Sequence, residues 1–365
     1  MCKVYNLIGS LTTVKNHLHK HNITEFTSLN EVITFQKNYT DVFKQIISQH
    51  EVLITQEKNT LSADIAILAN SIKTEKDNAE KYFQKEIDDL KQQLDNLILS
   101  SRKNFIARII SHFKKKTLVK QIRFREFHLD YEIAYAVRSL VESHKEKSNR
   151  HMYISSHFND AVTKSSQGSL RELERKKRII DEVNSCIYGA LGEQKVVKEL
   201  ESLSDEYILI NDLSLSFRTP VYNRQENEYI KSIQIDHILV TPSGIFLIET
   251  KNWSEKSLNN LNLRSPVQQV KRTNFILFKV LMEGISEHKL NLNQHHWGNR
   301  KIPIRNLIVL TKVKPKEEFQ YVKILTLHEL IGYIKYFESI FSFSETEEIA
   351  KYLRDYVALN KWHNT

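Results

Sequence analysis

The sequence predicts an α/β (α+β) fold: a mixed β-sheet flanked by helices in the C-terminal half, preceded by a long all-α coiled-coil region. Three observations predict it. All five prolines (Pro220, Pro242, Pro266, Pro303, Pro315) fall after residue 180, and neither Gly nor Pro occurs from residue 10 to 167; a breaker-free run of that length belongs to extended helices. Within that run Leu61, Ile65, Leu68 and Ile72 have heptad spacing, the seam of a coiled coil. Beyond residue 180 the pattern changes to short β-branched runs separated by turn residues, most clearly on either side of Pro242-Ser243-Gly244. The chain therefore divides into a helical region, residues 1–180, carrying a basic segment at 102–125, and an α/β domain, residues 181–365.

Composition narrows the setting. The 365 residues suffice for a sizeable core. Two cysteines, Cys2 and Cys186, are too few and too distant in sequence for a disulfide framework or a cysteine metal cluster, which points to a reducing cytoplasm. Met1 to Ile8 already contains Lys3 and does not read as a signal peptide. No run approaches the length of a spanning helix. A formal charge of +9 and a pI near 9.2 suggest a polyanionic partner without naming it.

Taken in order, residues 1 to about 45 suggest short helices. The heptad that starts at Leu61 resumes, after a slip, at Phe83, Ile87, Leu90, Leu94 and Leu97, so the coiled coil contains a stutter. This helix either folds back on residues 126–185 or pairs with a second subunit, and an amphipathic helix on its own domain is the plainer alternative. Arg102 to Arg125 holds nine basic residues and no acidic one, among them Lys114, Lys115, Lys116, Arg123 and Arg125. With Phe105, Ile106, Ile109, Ile110 and Phe113 at helical spacing, it reads as a basic amphipathic helix or the tip of a helical hairpin. Three partners stay open for it: the phosphate backbone of DNA, an anionic membrane surface, or ordinary core beneath a solvated face. Gln167-Gly168-Ser169 is the one plausible break before residue 185.

In the second half, Ala190, Val196, Val197 and Leu200 within Tyr188–Leu200 suit a helix packed on a sheet. Tyr207–Asp212 reads as a strand, Leu213–Phe217 as a second, and Asn223–Glu228 as a polar loop. Pro266, near the first turn of the next helix, is well placed. Ile304–Thr311 and Val322–Leu325 read as further strands, and Leu327–Phe337 and Glu345–Asn360 as closing helices.

The hairpin around Pro242 carries the chemistry. Asp236, Glu249 and Lys251 sit inside runs that otherwise want burial, and burying such groups is costly unless they bind something. Strand side chains alternate faces, so Glu249 and Lys251 point one way and Thr250 the other. Across a two-residue connection Thr241 faces Gly244 and, counting back, Asp236 faces Glu249. A three-residue loop would shift the register and require a compensating bulge. Two adjacent carboxylates repel unless protonated or bridged by a cation, and oxygen donors suit Mg2+. The Thr250 carbonyl adds a third oxygen, and Lys251 suits orienting or helping to deprotonate a water at that ion. The Glu-x-Lys triplet alone is weak, since it also occurs at Glu174, Glu193 and Glu287; only at Glu249 does it end an apolar strand that follows another strand bearing a carboxylate.

Four segments, Gly189-Ala190-Leu191-Gly192-Glu193, Leu209-Ile210-Asn211-Asp212, Ile235 to Asn252, and Pro266-Val267-Gln268-Gln269, resemble in order the NERD (nuclease-related) domain of the PD-(D/E)xK nuclease superfamily. The resemblance covers roughly residues 186–312. It implies a restriction-endonuclease-like sheet, a DNA nuclease using Mg2+ or Mn2+, and a role in bacterial defence or DNA processing. Residue by residue it implies that Glu193 joins Asp236 and Glu249 at the metal, that Lys251 acts on the water, and that Gln269 contacts the site from the following helix, Gln268 being its neighbour and alternative. For Glu193 a helix N-terminal glutamate is the plainer reading; Ile235 stands where the superfamily's name has Pro, which removes no ligand. The resemblance is silent on residues 1–180, where the coiled coil suggests a homo-oligomer or a protein partner.

Weaker candidates are His295-His296-Trp297 near His288, which lack zinc-like partners, and Trp253, which either stacks on a base or caps the sheet. No phosphate-binding glycine loop is present. The competing function is a non-catalytic nucleic-acid-binding or membrane-associated scaffold with a nuclease-like fold.

Overall fold

The structure is a computed structural model that describes residues 1–100, 105–253, 264–290, 292, 301–312, 315 and 317–362; Arg102, Lys103 and His295-His296-Trp297 lie outside them. By contacts the chain forms two units, residues 38–175 and residues 1–37 together with 176–365.

The second of these is built on a six-stranded mixed sheet, ordered β1 to β6. Its strands are β1 (Lys3–Tyr5), β2 (Ile208–Asn223), β3 (Glu228–Thr241), β4 (Gly244–Lys251), β5 (Ile304–Leu310) and β6 (Lys323–Thr326). The β2, β3 and β4 strands form an antiparallel meander, while β1, β5 and β6 pair in parallel. Helices cover both faces, which is why the central strands are apolar on both sides. Along β4, Ile245 and Leu247 face a core completed by α7 (Arg264–Ser286) and α9 (Phe343–Trp362). Phe246 and Ile248 face α6 (Asn184–Glu201) and α8 (Leu327–Lys335). α1 (Gly9–Lys20) lies on α6 over a smaller core that includes Val14, Leu18, Ile187 and Ala190.

The turn register is the two-residue one: Thr241 pairs with Gly244, whose φ of +123° suits glycine. Two expectations change here. Leu213–Phe217 is no separate strand but the middle of β2, whose ladder shifts register only between Ser216 and Val221, around Pro220, a residue that has no N–H to donate. Residues 1–45 supply, besides a short helix, the edge strand β1, and so the N-terminus joins the sheet unit.

The other unit contains most of α2 (Leu29–Ser100), with α3 (Phe105–Ala136), α4 (Arg138–Ser156) and most of α5 (Phe158–Glu182). α2 folds back on this same chain: Glu86, Asp64 and Glu57 pair with Arg125, Lys147 and Arg150 in antiparallel order. The heptad residues Leu61, Ile65, Leu68, Ile72, Phe83, Ile87, Leu90, Leu94 and Leu97 are all buried or half-buried, so the seam faces its partners. Gly168 does not break α5; a glycine in a helix interior costs only about 1 kcal/mol, and a 25-residue helix absorbs it. The interruptions fall instead at Val137, His157 and Val183.

Candidate active site

Beyond residue 248, β4 leaves the apolar core, and its last residues carry the charged groups. Alternation sends Glu249 and Lys251 toward α7 and Thr250 toward α6. Glu249 is 1 % exposed. Its Oε1 accepts from Lys251 Nζ at 2.5 Å and its Oε2 from Gln269 Nε2 at 3.0 Å. Gln269 also donates to the Gln234 carbonyl at 3.2 Å, which fixes it between β3 and β4.

Asp236 stands where the β2–β3–β4 ladder is interrupted. The paired residues run from Asn211 and His237 to Leu213 and Ile235, passing over Asp212 and Asp236. Asp212 has a φ of +48°, and the core-facing positions change parity there in both strands, from Ile210 to Leu213 and from Ile238 to Ile235. The register survives while the side chains change face. Asp236 uses this release to accept the Thr250 N–H through Oδ2 at 2.7 Å, its carboxylate occupying a position a ladder carbonyl would otherwise take.

Glu193 reaches the same place from α6. It lies in the middle of that helix, so the macrodipole does not account for it. Close approach requires Gly192: a Cβ there would stand 2.9 Å from Asn252 Cβ and 3.3 Å from Thr250 Cγ2. Glu193 Oε1 accepts a short hydrogen bond from Ser10 Oγ on α1, while Oε2 is buried with no partner among the described residues.

The electrostatics follow from this crowding. Burial, then the Glu249 and Glu193 charges, pushes the Asp236 carboxyl well above the usual range. Burial likewise raises Glu249, more than the Lys251 ammonium lowers it. It raises Glu193 as well, against the Ser10 hydrogen bond. Lys251 is pushed down by burial, but Glu249 and Asp236 outweigh this and hold it protonated. With three carboxyl groups beside one ammonium, burial and mutual repulsion oppose ionising all three at once. The chemistry of the donor set, all oxygen with one orphaned carboxylate oxygen, fits a hard divalent cation.

Of the residues singled out by sequence, Lys251 and Gln269 touch Glu249, and Asp236 and Glu193 lie near enough to act on Glu249 and Lys251 electrostatically; Gln269, not Gln268, is the one on Glu249. The Thr250 backbone lies beside Asp236, and its side chain points away toward Gly192. Lys114, Lys115, Lys116 and Arg123 are exposed on α3, in the other unit. Arg125 is half-buried there, with Glu86 at 3.6 Å and Glu132 at 3.9 Å. Trp253 packs against the core beneath α7. Sequence reasoning missed Ser10, 183 residues from its partner Glu193; no spacing could have marked it.

Residues 188–311, about a third of the chain, match the family model of NERD, the nuclease-related domain. Comparison with curated proteins gave no match, nor did comparison with solved structures.

Proposed function

We propose that this nuclease-related domain is a metal-dependent phosphodiesterase, most simply a DNA nuclease, with Asp236, Glu249, Glu193 and the Thr250 carbonyl holding Mg2+ or Mn2+. The observation that carries the reading is the gathering of three carboxyl groups, Glu249 and Glu193 buried and Asp236 half-buried, around a single ammonium that Glu249 touches, with one oxygen of Glu193 orphaned. A divalent ion, when bound, activates water and offsets charge on a phosphodiester.

The chain's own groups do the rest. Gln269 and Lys251 each hold one oxygen of Glu249 and so fix the plane of that carboxylate. The Thr250 N–H does the same for Asp236, and Ser10 for Glu193. As an ammonium, Lys251 stabilises developing negative charge on a phosphoryl oxygen. Its hydrogen bond to Glu249 and the charges of Glu249 and Asp236 keep that ammonium protonated against burial, and it is suited to orient the attacking water.

The helical unit would position the domain on DNA through Lys114, Lys115, Lys116, Arg123 and Arg125, in a cytoplasmic protein of defence or DNA processing. Phe127, Tyr131 and Tyr135, spaced four apart on α3, are 84 %, 66 % and 62 % exposed, which supports homo-oligomerisation through this unit and is checked by sedimentation. The test of the enzymatic reading is a cleavage panel of single- and double-stranded DNA, RNA, and supercoiled and modified DNA, with Mg2+ or Mn2+. Wild type should cut at least one substrate, and Asp236→Ala, Glu249→Ala and Lys251→Ala should not. Full activity of folded Lys251→Ala sinks the mechanism, and absence of both cleavage and metal binding in wild type favours a scaffold.

A further inference from the structure

A second cluster of metal-binding side chains lies at the other end of α1. His17 and His21 are four residues apart, His17 in the last turn of α1 and His21 as its C-cap, so both rings leave on one side. Their centroids are 4.8 Å apart. Glu182, the last residue of α5, faces them. One ligand atom from each of the three lies within 4.8 Å of the others.

The geometry of His17 separates this cluster from an ordinary ion pair. Its Nε2 is 3.2 Å from Glu182 Oε2, yet the buried nitrogen makes no hydrogen bond. A ring N–H at that distance from a carboxylate normally aligns with it. Two ligands of one tetrahedral ion, each about 2.0–2.1 Å from the metal, stand about 3.3 Å apart with neither directed at the other. Imidazole nitrogen suits zinc and disfavours the magnesium expected at the all-oxygen site.

We infer that His17, His21 and Glu182 form a zinc site, with a fourth position left for water. Seven residues separate His17 from Ser10, about 10 Å along the helix axis, so the site is separate from the carboxylate cluster. Zinc there clips the end of α1 to the end of α5, immediately before α6 begins. α1 carries Ser10 and α6 carries Glu193, the two partners of the short hydrogen bond. The clip is structural, and the binding of zinc does not depend on the nuclease reading.

The test is calorimetric titration of Zn2+ into chelator-stripped full-length protein, with Mg2+ in excess to fill the oxygen site. Wild type and Glu249→Ala should each take up one zinc. His17→Gln and His21→Gln should bind it more than about 100-fold more weakly, beyond the loss that follows removal of an outer-shell partner alone. Co2+ should give the visible absorption of a tetrahedral ion in wild type and Glu249→Ala, and lose it in His17→Gln. Metal-free His17→Gln should melt like metal-free wild type; if it melts lower, Glu182→Gln, changed at an exposed residue, decides by the same titration. The inference is overturned if wild type takes up no zinc in the presence of Mg2+, if the histidine and Glu182 variants bind as wild type does, or if Glu249→Ala abolishes the site.

Discussion

Replacing Glu193 by Gln should make the metal-free protein more stable and the metal-loaded protein less responsive. The side chain is 5 % exposed, Oε2 has no partner, and burial raises its pKa among Asp236, Glu249 and Asp212. An unsatisfied buried polar atom costs about 1–3 kcal/mol, more when charged. Gln keeps the acceptor for Ser10 and removes a buried ionisable group from beside Asp212 and Asp236, so a gain of about 1–2 kcal/mol is expected without metal. For a unit of this size that is about 2–8 °C in Tm. Divalent ion at a hundred times its Kd should stabilise wild type by about 2.7 kcal/mol, and Glu193→Gln should keep less than half of this. Thermal unfolding followed by fluorescence with and without Mg2+, together with DNA cleavage, measures both halves. A variant less stable than wild type without metal, or one whose Mg2+ response is unchanged, refutes the placement of Glu193 at an ion.

Three further outcomes follow. Ser10→Ala removes one charge-assisted hydrogen bond of about 1.5 kcal/mol, so half-saturating Mg2+ should rise about tenfold in a titration, with Ser10→Thr restoring part of the loss; equal Mg2+ requirements would make Ser10 a bystander. Burial lowers the pKa of His237 from 6.5 to about 3 while Asn211 holds its Nδ1 at 2.8 Å. The unfolded chain therefore binds a proton below pH 6.5 that the folded one refuses, and this contribution to stability is full above pH 6.5 and declines as pH falls toward 3. Urea titrations at pH 7 and pH 5 should show wild type losing about 2 kcal/mol more than His237→Gln, and parallel losses would contradict it. Changing Lys114, Lys115 and Lys116 to Glu, all exposed, should leave folding intact and reduce the slope of log K against log salt for DNA binding by about 3. Unchanged DNA affinity with lost liposome binding would assign the segment to a membrane surface instead.

Local chemistry made much of this protein legible. The absence of breakers from residue 10 to 167 required long helices, the heptad marked the buried stripe of α2, and alternation along Gly244–Lys251 put Glu249 and Lys251 on one side, because each of these is a property of a few consecutive residues. The turn offered two registers, and the pairing of Thr241 with Gly244 selects the two-residue one. Three things belong to the tertiary structure. The switch of face at Asp212 and Asp236 depends on two strands changing parity together, which neither strand shows alone. The orphaned oxygen of Glu193 depends on Gly192 letting α6 settle against Thr250 and Asn252. The arrival of Ser10 depends on the first twenty residues joining the sheet unit through β1 and α1, a contact across 183 residues that periodicity does not carry. Helices and strands are set by spacing within one segment; a cluster of buried charge is set by which segments meet.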